Sequence, residues 1–328
     1  MKRAAVATGR IEKGRGERSL SAHTTSTRTL VVALAANLGI AASKFLAAAV
    51  TGSSAMLTEG VHSVVDSTNQ LLLMWGRRAA KRPPDELHPF GYGRELYFWS
   101  FVVAVLVFSL GAGVSVYEGI LHIFRPEPAV APGIAYAVLL VAFLLEGWST
   151  VEAYRDFSNS KGELGWFQAV RQSKDPPAFI VLLENGAAMA GIITAAIGLA
   201  AAQITGNPFF DGAASIIIGV ILGFTAILLA YESKGLLIGE AADPILVDNL
   251  RKLAAGQAGV VGVGHVLTVH SSPDQITVMM NVDFRDDLPA GEVESIVCRI
   301  EVEARERWPA VRRLFVRPMQ GAADQLGH

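Results

Sequence analysis

The chain has 328 residues, 18% of them charged and 51% hydrophobic, with a net charge of -2 and a mean hydropathy of +0.38. A soluble domain carries about 25% charged residues, so this composition argues against a disordered chain, and its near-neutral balance against a nucleic-acid binder. The one cysteine, Cys298, excludes a disulfide framework and any cysteine-cluster metal site within one chain.

In chain order, residues 1–28 form a basic tail holding Lys2, Arg3, Arg10, Lys13, Arg15, Arg18 and Arg28. Glu12 and Glu17 argue against a transit peptide, and the first apolar run lies too far in for a cleaved signal peptide. A bilayer core takes about 20 apolar residues per helix, and six transmembrane helices are predicted at roughly 29–51, 54–76, 96–122, 131–154, 177–203 and 208–231. Residues 96–117, 128–145, 185–210 and 212–231 hold no charge, while the first two helices carry Lys44 and then Glu59, His62 and Asp66. From Glu232 charges return in every short window. A helix over 243–255, strands over 260–269 and 275–284, a turn at 271–274, a helix over 291–307 and a strand over 311–316 predict two helices on a three-stranded sheet. The predicted division is therefore a basic tail 1–28, a membrane domain 29–231, an α+β domain 232–320 and a tail 321–328.

Loop charge sets orientation. Arg77, Arg78, Lys81, Arg82 and Arg94 sit between the second and third helices, and Arg155, Lys161, Arg171 and Lys174 between the fourth and fifth. The opposite side has short turns and Arg125. Both termini and the tail domain are thus predicted to be cytoplasmic, with the bundle in the plasma (inner) membrane.

Ionisable side chains inside a bilayer are expensive and mark a pathway or a site. The second helix reads EGVHSVVDSTNQ, and at about 100° per residue Glu59, His62, Asp66 and Gln70 share a narrow stripe. His62 and Asp66 are one turn apart, so an imidazole nitrogen and a carboxylate oxygen can share one ion, a donor pair that suits Zn²⁺. The plainer alternative is an interhelical hydrogen-bond patch or a His–Asp pair without metal. The fifth helix offers Glu184 and Asn185 in VLLENGAAMAG, adjacent and so about 100° apart. Glu184 could supply a third oxygen and Asn185 a carbonyl, although Asn commonly serves as an interhelical hydrogen-bonding residue. Lys44 either snorkels or pairs with a carboxylate, Asp211 reads as structural, and Glu146 is left open.

EGVHSVVD followed by DELHPFGYGRELYFW resembles the cation diffusion facilitator family of metal/proton antiporters, over nearly the whole chain past the basic tail. The motif pair is specific: H/D-x-x-x-D on the second helix, then D-x-x-H-P-F-G-x-G starting 19 residues beyond Asp66. HPFGYGRELYFW and LLIGEAAD are most similar to the branch that includes a mitochondrial zinc exporter. The resemblance implies an α-helical membrane protein with six helices, cytoplasmic ends and a C-terminal ferredoxin-like, metallochaperone-like domain of order αββαβ, in a homodimer. It implies a transport site with two residues of the second helix, which fall on His62 and Asp66. It also implies an H-x-x-x-D on the fifth helix, whose places are held here by Val181 and Asn185, leaving Glu184 as the substitute one residue off register. A family loop site of one Asp and two His is matched by Asp85 and His88, with Tyr92 in the third place, so the resemblance implies a weak or absent loop site. Of the tail positions that bind zinc in several members, His265 matches, while Asn281, Arg317 and Met319 fill the others. This implies a dimerisation domain without strong metal binding. His270, five residues on in the same strand, is predicted to face the other way.

The expected metal ligands are therefore His62, Asp66, Glu184, Asn185 and Glu59, with Asp85, His88 and His265 as weaker candidates. The expected function is secondary active export of a divalent cation, foremost Zn²⁺, in exchange for protons, the ion being substrate and no prosthetic group being involved. The expected partners are the ion, protons, the bilayer and a second copy of the chain. The alternative is a non-transporting membrane scaffold or metal sensor of the same fold. No H-E-x-x-H helix is present, so an intramembrane metalloenzyme is not supported.

Overall fold

The computed structural model describes residues 27–125, 132–161, 165, 166, 169 and 173–320. The basic segment 1–26 and the terminal segment 321–328 lie outside the described residues. Helices α1 (Thr27–Thr51), α2 (Ser54–Ala80), α3 (Glu95–Phe124), α4 (Pro132–Lys161), α5 (Pro176–Thr205) and α6 (Phe209–Ile238) pack into a bundle. α3 to α6 are each long and apolar enough to cross a membrane. Their outward faces present Leu144, Trp148, Phe224 and Ile227, all exposed. Water disfavours such a belt and lipid accepts it. The apolar part described for α1 is the shorter run Asn37–Thr51, and α2 carries its polar stripe inward.

Local chemistry explains the helix ends. Gly52, at φ 67°, supplies the left-handed turn between α1 and α2, and the Ser53 hydroxyl then accepts from the Met56 N–H at 3.3 Å as the N-cap. α2 runs past its apolar section through Arg77 and Arg78 to Ala80, since Arg and Ala are good helix formers. α6 likewise does not stop at Tyr231. It continues through buried Glu232 and Ser233 to Ile238, and Gly239, at φ 121°, ends it. The membrane-domain boundary expected at 231 therefore falls inside one unbroken helix. α3 contains a π-helical stretch, Val107–Ala112, where the helix widens.

Close packing between α3 and α6 depends on small residues. A Cβ on Gly119 would lie 2.7 Å from the Gly212 carbonyl oxygen, and one on Gly212 would lie 2.9 Å from that of Gly119. The two backbones therefore meet directly at this point, as small residues allow in membrane bundles.

Beyond α6 come α7 (Pro244–Ala255), β1 (Val260–Ser272), β2 (Gln275–Phe284), α8 (Ala290–Arg307) and β3 (Val311–Met319). The sheet order is β1-β2-β3, with β1 antiparallel and β3 parallel to β2. A parallel pair needs a crossover connection, which α8 provides. Leu250, Ala254, Val278, Met280, Ile300 and Val311 form the core of this layer. The helix-strand-strand-helix-strand order matches expectation, with β1 and β3 each extending a few residues further. The small sheet meets the bundle through the α2–α3 loop: the Arg313 guanidinium donates to the Pro89 carbonyl at 2.6 Å and lies 4.6 Å over the Phe90 ring. An ion pair between Lys174 and Glu240 adds a second link.

Candidate metal centre

The α2 stripe forms the polar interior of the bundle. Glu59, His62 and Asn69 are buried, and Asp66 is 14% exposed. The spacing 59, 62, 66, 69 keeps one face of a 3.6-residue helix turned inward. Gln70, which the sequence placed in the stripe, is only half-buried, and Asn69 takes its place. The signal for Asn69 was present as the next i+3 step from Asp66.

His62 Nε2 lies 3.5 Å from Asp66 Oδ2. Neither ring nitrogen of His62 has a hydrogen-bond partner, and neither does Asp66 Oδ1, although these atoms are shielded from solvent. Buried polar atoms are nearly always satisfied, and here three without a partner lie together on one His–Asp pair.

Two other carboxylates near this pair are differently committed. Lys44, fully buried on α1, donates to Glu59 Oε2 at 3.0 Å and to the Ser63 hydroxyl at 2.8 Å. Of the two readings for Lys44, pairing is the one observed. Glu59 Oε1 remains without a partner and packs against Gly191 of α5, where an added Cβ would collide with it. Glu184 on α5 is buried and accepts from Asn69 Nδ2 at 2.8 Å. Asn185 is turned elsewhere: it is half-buried, and its amide donates to Ser149 of α4 at 2.9 Å. Of the two adjacent fifth-helix candidates, Glu184 is thus the one that reaches α2. Glu146 of α4 is buried as well. Among the described residues, no three His, Cys, Asp or Glu side chains converge closely enough to hold an ion in this conformation.

The weaker candidates lie outside the bundle. Asp85 accepts from the Tyr92 hydroxyl at 2.5 Å and from the His88 backbone N–H at 2.6 Å, all on an exposed loop. The Tyr92 hydroxyl, and then the His88 N–H, hold the Asp85 carboxyl below the usual carboxylate range, and the Tyr92 hydroxyl is pushed up in return. The loop thereby closes on itself, with the His88 and Tyr92 rings 4.2 Å apart. His265 is exposed on β1 and His270 is buried. The backbone N–H of His270 donates to the Glu240 carbonyl at 3.0 Å, and burial pulls its imidazole below the ordinary histidine value.

One cluster was not found by sequence reasoning beyond the structural role of Asp211. Asp211, at the start of α6, accepts from the Ser53 hydroxyl at 2.8 Å and the Ser54 N–H at 2.7 Å, so it caps α2 from another helix. His122 of α3 approaches the same carboxylate at 3.7 Å.

Residues 30–238 match the cation efflux transmembrane domain. The chain belongs to the cation efflux family. It is 34% identical over 244 residues to a mitochondrial proton-coupled zinc antiporter, SLC30A9, from Xenopus laevis, covering 74% of this chain and 44% of that protein. It is 36% identical over 265 residues to metal tolerance protein C4 from Arabidopsis thaliana, covering 80% and 58% respectively. It is 25% identical over 260 residues to the cation-efflux pump FieF from Klebsiella pneumoniae, covering 79% and 81%. The chain thus spans about half the length of the first two relatives. The members named here are an antiporter, a tolerance protein and an efflux pump, not enzymes.

Proposed function

We propose that this protein is a secondary active transporter that exports a divalent cation, foremost Zn²⁺, in exchange for protons. The observation that carries the reading is the His62–Asp66 pair, one helical turn apart inside the bundle with three unpaired polar atoms. Imidazole nitrogen with carboxylate oxygen favours zinc over harder ions. The ion is substrate here, not a resident cofactor. Metal and protons compete for the same lone pairs, because a ligand must be deprotonated to bind metal. A rocking bundle that exposes the pair to alternate sides would then exchange one for the other. Glu184, held toward α2 by Asn69, is the third ligand of this reading. Glu59 is held by Lys44, and Asn185 is assigned to helix packing.

In this reading all six helices of the bundle span the membrane, and the loops rich in Lys and Arg put both termini and the sheet on the cytoplasmic side of a plasma (inner) membrane. The tail is a ferredoxin-like domain that brings two copies together. The relative named as a proton-coupled zinc antiporter supports both the ion and the coupling. The test is ⁶⁵Zn uptake into proteoliposomes under an imposed pH gradient. Wild type should concentrate zinc only with the gradient, and the double variant His62→Ala, Asp66→Ala should be inert; normal transport by that variant would sink the site assignment.

A second reading is favoured by the absence of a third converging ligand among the described residues. The chain would then be a membrane scaffold or sensor. Isothermal titration separates the two, since a scaffold would show no stoichiometric zinc binding that depends on Asp66.

A further inference from the structure

We propose that His122 is a proton-binding residue at the end of the bundle away from the sheet, and that it acts through Asp211 on the N-terminal turn of α2. It rests on the transport reading for its biological role, since it names where protons arriving from the far side are sensed. Its physical basis is independent of that reading.

Asp211 lies in the first turn of α6, which ends beside the sheet, so Asp211 marks the opposite end. A cavity of about 510 Å³ opens there, lined by Phe45, Ser53, Ser54, Glu118, His122 and Arg125 among others. His122 is only 9% exposed and borders this cavity. Its Nε2 is 3.7 Å from Asp211 Oδ2, too long for a hydrogen bond but within reach of a small adjustment. The glycine contact between Gly119 and Gly212 brings His122, one turn after Gly119, to Asp211.

The same Oδ2 is already used. It accepts from the Ser54 N–H at 2.7 Å, the Ser54 hydroxyl at 3.1 Å and the Ala55 N–H at 3.4 Å. These amides have no partner within their own helix, because the first four N–H groups of a helix never do. Asp211 is therefore the shared cap of α2 and the only anion in direct contact with His122 among the described residues. Glu118, one turn back on α3, and Arg125, at its end, are the other charged groups on the cavity wall. α1 contributes Phe45, Ala48 and Ala49, and α2 contributes hydroxyls and Leu57, so neither adds a charge.

Neutral imidazole leaves the Asp211 carboxylate to α2. Imidazolium, once His122 binds a proton, draws Oδ2 toward α3 by a charge-assisted hydrogen bond, which is stronger than the neutral amide bonds it competes with. The first turn of α2 then loosens. α2 also carries His62, eight residues on from Ser54, or about 12 Å along the helix. Proton loading on the far side thus reaches the helix that holds the candidate ligands. His122 is a positioning residue in this scheme and does not touch the metal.

The test is hydrogen–deuterium exchange of the full chain in lipid nanodiscs without metal, reading residues 54–58 at about pH 5.5 and 7.5 after correction for intrinsic exchange. Wild type should exchange about three- to tenfold faster at the lower pH, the factor expected when a hydrogen bond of ordinary net strength is weakened. His122→Gln should exchange slowly at both pH values, and His122→Lys, a fixed cation, should exchange fast at both. Equal exchange of wild type at the two pH values would overturn the proposal, and so would a wild-type response retained by His122→Gln. The wild-type comparison stands even if a variant fails to fold. None of these readouts requires transport: zinc uptake can fail while the exchange response persists, and the reverse.

Discussion

Asn69 on α2 donates its amide to Glu184 on α5 at 2.8 Å, with both side chains buried. The bond joins two helices inside the bundle and aims one carboxylate oxygen toward α2. It also explains why Glu184, one residue out of the expected register, reaches the stripe while Asn185 does not. Interhelical hydrogen bonds in membranes contribute about 1 kcal/mol. Asn69→Ala should therefore lower stability by about that amount in detergent unfolding. The larger effect should be on zinc affinity, which should fall about 10- to 100-fold as for other residues that orient a ligand. Unchanged zinc affinity in isothermal titration would restrict the bond to packing.

Lys44 and Glu59 form an ion pair in which neither side chain touches solvent. Removing one partner leaves the other charge buried and alone, which costs about 3–5 kcal/mol. Lys44→Met should therefore be severely destabilised. Lys44→Met combined with Glu59→Gln should recover most of the loss, because neutral groups need no counter-charge. A double-mutant cycle by chemical unfolding reads the coupling directly. A double variant as unstable as the single one would show that the pair is held by something other than charge.

His270 makes the sheet region sensitive to acid. Burial lowers its folded-state value below the ordinary 6.5. Below 6.5 the unfolded chain therefore binds a proton that the folded chain refuses, and stability rises with pH wherever that holds. The contribution is complete above about pH 6.5 and is lost as pH falls below it. Unfolding followed by Trp308 fluorescence should show this loss between about pH 6.5 and 5, and His270→Asn should flatten it. The same slope in the variant would assign the acid sensitivity to other groups.

Gly93 is the point where the α2–α3 loop meets the sheet. A Cβ there would lie 2.6 Å from the Ser271 carbonyl oxygen, a backbone atom that cannot swing aside. Gly93→Ala should therefore separate the loop from the sheet and break the Arg313 contact to Pro89. Faster hydrogen exchange is expected at 88–93 and 271–272, with helices α4 and α5 unaffected. If exchange in those segments is unchanged, the junction can absorb a methyl group and is looser than its contacts indicate.

Much of this architecture is visible in the order of residues, for a physical reason. A charge inside lipid is costly whatever surrounds it, so charge-free runs locate α3 to α6 without knowledge of their neighbours. The α2 stripe is equally local, because the helical repeat alone puts Glu59, His62 and Asp66 on one side. Alternation and turn residues likewise located β1, β2 and β3. The family motif around Asp85 was legible too. What it did not show is that the Tyr92 hydroxyl closes onto Asp85, a bond between side chains seven residues apart.

What could not be read locally is which faces meet. Glu184 and Asn185 are neighbours in sequence, and only the rotation of α5 about its axis sends one to Asn69 and the other to Ser149. Lys44 had several possible acids, and the fit of α1 against α2 selected Glu59. Asp211 and His122 come together because glycine removes the side chains that would hold α3 and α6 apart. The sequence by itself determined the elements, their polarity and the inward stripe, since helical period and the cost of buried charge act within one segment. The tertiary structure alone decided which groups are partnered and which are left open, because partnership depends on helix rotation and approach, set by side-chain volume across segments distant in the chain.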